Sequence, residues 1–162
     1  MITLVLGGAR SGKSTAAERL ACGLPAPVTY VATAEVTDDD MAERIAGHRA
    51  RRPPGWTTVE AGPELADVLQ RVRGTALVDS LGAWVARTTR FAVDVDGLCA
   101  ALCARAGDTV LVSDEVGLGV HPATEAGRRF RDVLGLVNQG VAARADDVWL
   151  VVAGRLLRLE RA

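Results

Sequence analysis

The chain has almost no lysine. Of nineteen Lys plus Arg in 162 residues, Lys13 is the single lysine, and every other basic position is arginine. A Ras-like guanine reader carries Asn-Lys-x-Asp, and a chain whose one lysine is Lys13 cannot have it. Net charge is −1, so there is no strong electrostatic footprint for nucleic acid, and no such partner is expected. No apolar run approaches the ~18 residues of a membrane span, so no membrane insertion is expected. The N-terminus reads as a strand rather than a signal peptide, which points to a cytoplasmic chain. Aromatics are 4% of the chain, with no aromatic-plus-basic stripe for stacking single strands. The protein-kinase motif set is missing too. These absences exclude a GTPase switch, a protein kinase and a helicase core. Three cysteines, Cys22, Cys99 and Cys103, lie in apolar helix-like segments. They read as reduced, partly buried thiols. Cys99 and Cys103 could share a helix face, but no His or Cys nearby completes a metal set. There is no internal repeat and no low-complexity linker. The length fits a single domain, 1–162, with a core that needs no staples.

What is present begins at Gly7-Gly8-Ala9-Arg10-Ser11-Gly12-Lys13-Ser14, which reads G-x-x-x-x-G-K-S. This is the P-loop pattern, and its context fits. Ile2 to Leu6 is a short apolar run, a buried strand. Thr15 to Leu24 carries Ala16, Ala17, Leu20, Ala21 and Leu24 at helical spacing. A strand, a Gly-rich turn and a helix present backbone N–H groups and a helix N-terminus to an anion. Lys13 is expected to reach the β- and γ-phosphates of a nucleoside triphosphate, and the Ser14 hydroxyl to hold Mg²⁺. The lone lysine strengthens this reading. A compact ammonium fits a phosphate cradle, whereas a planar guanidinium does not.

Further on, apolar runs alternate with helical patterns. Strands are expected at Val28–Thr33, Trp56–Glu60, Thr75–Val78, Thr109–Val112, Asp147–Ala153 and Leu156–Leu159. Helices are expected from the Thr37 N-cap to about Arg52, around Leu65–Val72 and Leu81–Thr88, over Val95–Arg105 and through Phe130–Val141. The strands are continuous apolar runs, which argues an α/β fold: a mostly parallel central sheet with helices on both faces. Ligands in such sheets bind beyond the C-terminal strand ends. Polar residues gather there: the P-loop, Glu35, Asp79 and Asp114-Glu115. An acid at a strand end is the usual second Mg²⁺ partner. Asp79 is placed first, with Asp114 and Glu115 as alternatives; a strand-end Asp can equally cap a turn.

A second constellation surrounds His48. At ~100° per residue, Arg44, His48 and Arg51 share a narrow helical arc, with Arg52 at its edge. Imidazole among guanidiniums suits a nucleophile or acid facing phosphates, and the neighbouring charges favour its neutral form. Met41 and Ile45 border the same arc, so a half-buried helix histidine beside a solvated Arg face is the plain alternative. His121, in the Gly-rich loop Val116–Pro122, is a candidate substrate contact beside Glu115.

Together these motifs resemble the bifunctional adenosylcobinamide kinase/adenosylcobinamide-phosphate guanylyltransferase family of cobalamin biosynthesis. The resemblance runs through Gly7–Ser14, Val31–Glu35, Asp40–Ile45, His48-Arg49 with Arg52-Pro53, Trp56–Thr58 and Glu60. It continues through Val78–Trp84, Glu115–Val120, Arg129–Asp132, Asn138-Gln139 and Ala145–Gly154. It implies a RecA-like P-loop NTPase fold and a homo-oligomer, a trimer in characterised members. It implies phosphorylation of adenosylcobinamide, with ATP or GTP as donor left open. Transfer of GMP from GTP through a GMP-histidine intermediate would follow. By the same resemblance His48 is the guanylylated histidine. Thr33, Ala34, Glu35, Arg49, Ala50, Arg51, Arg52, Glu60 and Asp79 are nucleotide contacts beside the phosphate loop. Two departures stand out: a brief segment between Ser80 and Thr109, and His121 where an aliphatic residue is frequent. Two other classes remain open: a small-molecule kinase with no covalent step, and a nucleotide-binding regulatory module.

Overall fold

The computed structural model describes residues 1–35, 43, 46–47, 49–50 and 52–161. Its sheet has seven strands: β1 (Ile2–Gly7), β2 (Val28–Ala32), β3 (Thr57–Glu60), β4 (Thr75–Asp79), β5 (Thr109–Asp114), β6 (Asp147–Val152) and β7 (Arg155–Arg158). Their spatial order is β3-β2-β4-β5-β1-β6-β7. All neighbours run parallel except β7, which returns antiparallel on β6. The described α-helices are α1 (Lys13–Cys22), α2 (Leu65–Arg71), α3 (Leu81–Arg87), α4 (Val95–Ala104) and α5 (Glu125–Ala142). A short 3₁₀ turn spans Thr89–Phe91.

Period-two alternation along the central strands sorts the core into two layers. Leu4, Leu6, Val31, Ala76, Val78 and Leu111 face α2, α3, α4 and α5. Val5, Val28, Tyr30, Leu77, Val110 and Val112 face the other side with Ala17 and Ala21 of α1. Helices therefore cover both faces, but unevenly among the described residues. Side chains cap three of them. Ser80 accepts from the Ala83 amide at 3.2 Å, Asp94 from Gly97 at 2.8 Å and Thr124 from Gly127 at 3.1 Å. Each satisfies one of the amides that a helix start leaves unpaired.

The helix expected from Thr37 lies largely outside the described residues, as do Arg44, Ile45, His48 and Arg51. Glu43, Ala46, Gly47, Arg49 and Ala50 are helical. Two cysteines differ from expectation. All three are free, but Cys22 and Cys103 are exposed and only Cys99 is buried. Cys22 closes α1 and Cys103 lies in the last turn of α4, both at helix ends that water reaches.

Candidate active site

The phosphate loop joins β1 to α1, and hydrogen bonds hold it from both sides. The Glu115 amide donates to the Gly7 carbonyl at 3.1 Å, and the Gly154 amide to the Ser11 carbonyl at 2.8 Å. Gly12 is left-handed, with φ 92°, and faces the Gly154 backbone. Gly154 belongs to the β6–β7 hairpin turn, where Ala153 and Gly154 have φ of 50° and 74°. Two positive φ values in a two-residue loop are those of a type I′ hairpin, which matches the strands' twist. The antiparallel hairpin thus buttresses the loop from behind.

Lys13 sits among oxygens. Its Nζ lies 2.8 Å from Oδ1 of Asp114 and donates to the Gly8 carbonyl at 3.2 Å. Asp114 is opposite Gly7 in the β1–β5 register. Its carbonyl accepts from Asn138 Nδ2 at 3.1 Å, and Ser113 Oγ donates to Asn138 Oδ1 at 2.6 Å. Asn138 is buried on α5 among Leu134, Val137 and Val141. Gly82 of α3 lies against the Asp114 carboxylate, and a Cβ there would collide with Oδ2. The strand order explains why Asp114 rather than Asp79 meets Lys13: β5 lies between β1 and β4. Asp79 ends β4, where its Oδ2 accepts from the Tyr30 hydroxyl at 2.8 Å. Burial, with the Asp79 charge added, pushes the Tyr30 phenol far above its usual range, so it stays a donor.

The remaining candidates line the same edge. Thr33 is buried, its amide donating to the Asp79 carbonyl at 3.2 Å and its hydroxyl to Ser80 at 2.6 Å. Arg87 of α3 donates to the carbonyls of Thr33 at 3.3 Å and Ala61 at 3.0 Å, and its Nε lies 3.5 Å from Glu35. Ala34 is half-buried between Thr33 and Glu35. Arg49 reaches Glu60 at 3.4 Å, and Arg52 donates to Thr58 at 2.9 Å. The Arg52 guanidinium also lies 3.4 Å over the Tyr30 ring, within cation–π range. Ala50 is exposed; Arg51 and His48 lie outside the described residues. The Glu115 carboxylate folds onto the Gly117 amide at 2.6 Å, and His121 is exposed.

The edge therefore brings together Gly7–Ser14, Thr33–Glu35, Glu60, Asp79, Asp114 and Glu115. Sequence reasoning missed Tyr30, Arg87 and Asn138 as parts of this edge. Asn138 alone left a readable signal, a polar residue on an apolar helical stripe. Among the described residues no group of three or more His, Cys, Asp or Glu could hold a metal ion. The donors present fit Mg²⁺, which keeps its waters and takes one or two protein oxygens plus phosphates. The Ser14 hydroxyl stands in the first turn of α1, with carboxylates on neighbouring strand ends.

Residues 3–159 match the cobinamide kinase / cobinamide phosphate guanyltransferase family. The bifunctional adenosylcobalamin biosynthesis protein CobP of Pseudomonas aeruginosa is 42% identical over 163 residues, covering 95% of this chain and 94% of its own. CobU of Salmonella typhimurium, another bifunctional adenosylcobalamin biosynthesis protein, is 40% identical over 176 residues, with coverages of 95% and 97%. Among solved structures, the flagellar accessory protein FlaH of Methanocaldococcus jannaschii aligns at TM-score 0.52 and 16% identity, over 96% of this chain and 74% of that one. An ATPase from the type III secretion system of pathogenic bacteria aligns at TM-score 0.55 and 10% identity, over 92% and 50%. At such identities these likenesses concern the fold alone, a RecA-like P-loop NTPase.

Proposed function

The chain belongs to the cobinamide kinase / cobinamide phosphate guanyltransferase family, and on that premise we propose that one nucleotide edge serves two successive transfers. In the first, the γ-phosphoryl group of ATP or GTP passes to the alcohol of adenosylcobinamide. The loop amides and Lys13 hold the phosphates in line with that hydroxyl, and positioning supplies most of the catalysis. Mg²⁺ held by Ser14 and Asp79 would neutralise charge on the phosphoryl oxygens. In the second transfer the His48 imidazole attacks the α-phosphorus of GTP. A P–N bond forms and pyrophosphate leaves. The phosphate of adenosylcobinamide phosphate then breaks that bond, giving adenosylcobinamide-GDP. Thr33–Glu35, Arg49–Arg52 and Glu60 are assigned to the nucleotide in this step, and Glu115 with His121 to the corrinoid side.

The observation that supports the second step is the tie from Arg49 and Arg52 to β3, through Glu60 and Thr58. It sets Arg49 and Arg52, sequence neighbours of His48, against β3, whose end lies at the same edge of the sheet as the phosphate loop. Exposed Leu156 and Leu157 on the edge strand β7 support a homo-oligomer, with the trimer as the form proposed. A cytoplasmic location is part of the same proposal. No described helix is long and apolar enough to cross a membrane.

The test is incubation with α-labelled GTP and Mg²⁺. An acid-labile, alkali-stable protein adduct is expected, absent from His48→Ala, which keeps cobinamide phosphorylation. Equal labelling of parent and His48→Ala would overturn the covalent step.

A further inference from the structure

We propose that Asp114 makes nucleotide binding conditional on the divalent cation, because its carboxylate pairs with Lys13 and stays beside the loop when a polyphosphate takes over that lysine. The proposal rests on reading Gly7–Ser14 as a nucleoside triphosphate site, and it concerns a residue that this reading leaves without a role.

Three observations carry it. The loop's ammonium already has an anionic partner, 2.8 Å away, and both side chains are largely shielded, at 13% and 31% exposure. An incoming phosphate must therefore displace a carboxylate rather than water. The displaced carboxylate has little room to retreat. Its residue pairs with Gly7 in the sheet, its carbonyl is held by buried Asn138, and Gly82 packs against its oxygens. Among the described residues Lys13 is also the one cation shown in ion-pair contact with Asp114, so a phosphate that takes Lys13 leaves the carboxylate without that partner. Once the phosphates occupy Lys13, two anions stand side by side at a partly shielded strand end, where like charges repel more strongly than in water. A Mg²⁺ ion carried in with the nucleotide offsets that repulsion; the free polyphosphate anion has nothing to offset it. Asp114 is thus a specificity-determining residue. It selects Mg²⁺-loaded nucleotide over the bare anion.

Isosteric Asp114→Asn keeps the shape and removes the charge. Dissociation constants for GTP and ATP would be measured in Mg²⁺ and in EDTA, with thermal melting to establish folding. The parent is expected to bind at least tenfold more tightly with Mg²⁺. Asp114→Asn is expected to gain tenfold or more in EDTA, so that the Mg²⁺-to-EDTA ratio collapses, while Asp114→Glu keeps it. If Asp114→Asn melts far below the parent, Asp114→Ser provides the same comparison. An unchanged ratio, or equal loss of affinity in both buffers, would make Asp114 a structural residue and overturn the proposal. A parent that binds no triphosphate in either buffer would instead refute the reading of the loop.

Discussion

The Tyr30 hydroxyl donates to Oδ2 of Asp79 at 2.8 Å, across the β2–β4 pair. Tyr30 thus fixes the rotamer of an acid assigned to the Mg²⁺ site from two residues before the end of its own strand. Tyr30→Phe keeps the ring under Arg52 and deletes the donor. Loss of one hydrogen bond to a charged group is expected to cost about 1–3 kcal/mol in urea unfolding. The Mg²⁺ concentration for half-maximal nucleotide turnover should rise several-fold. An unchanged Mg²⁺ requirement would remove Asp79 from the metal site.

Asn138 joins the opposite flank of the site. It accepts from Ser113 and donates to the Asp114 carbonyl, from within the apolar stripe of α5. Asn138→Ala strands a buried hydroxyl and a carbonyl at once. Stability should fall by about 2–3 kcal/mol, read as a lower urea midpoint at constant slope. Nucleotide affinity in EDTA should rise, since the strand end that carries Asp114 loses its anchor and the carboxylate can retreat from the phosphates.

Arg105 provides a contrast at the other end of the sheet. Its guanidinium donates to the carbonyls of Leu69, Val72 and Gly74, each at 2.6 Å, and its Nε to Thr109 at 3.0 Å. Burial lowers its pKa, yet these acceptors keep it in place. Arg105→Met should cost about 3 kcal/mol or more. Its KM for nucleotide, measured well below the melting temperature, should match the parent's. A changed KM would mean that the two ends of the sheet are coupled.

Much of this edge was legible in the residues. The P-loop, the strand-end acids and the alternation of elements follow from local pattern, because parallel strands buried on both faces need continuous apolar runs. Strand order does not. Spacing along the chain put Asp79 and Asp114 at equivalent strand ends, and only the insertion of β5 beside β1 decides that Asp114 meets Lys13. The Tyr30–Asp79 bond was hidden for the same reason, since it crosses strands far apart in sequence. The Leu156–Leu159 run read correctly as a strand, but its antiparallel return depends on two positive φ values that Ala153 does not advertise. Cys22 and Cys103 misled because an apolar neighbourhood in sequence does not say which side of a helix end faces water.

Cysteine accessibility is directly measurable. In the native protein Cys22 and Cys103 should react with iodoacetamide, and Cys99 should not. Burial both blocks the Cys99 thiol and pushes its pKa up, which depletes the reactive thiolate. Peptide mapping should find two labelled sites in buffer and three in denaturant. Rapid native labelling of Cys99 would contradict the packing of α4 against α5.

Gly154 stands about 140 residues beyond Lys13 in the chain, yet it touches the phosphate loop. Its amide donates to the Ser11 carbonyl at 2.8 Å, and its φ of 74° suits glycine or asparagine. Gly154→Val introduces a β-branched side chain into the left-handed region, at a cost of roughly 1–2 kcal/mol. The hairpin can relieve that strain only by moving the turn, which takes the donor away from Ser11. GTP affinity should therefore fall several-fold although no atom of residue 154 is assigned to the nucleotide. Gly154→Asn tolerates the same backbone and should stay near the parent in both stability and affinity. If Gly154→Val loses stability but binds GTP like the parent, the hairpin stabilises the sheet edge without shaping the phosphate loop.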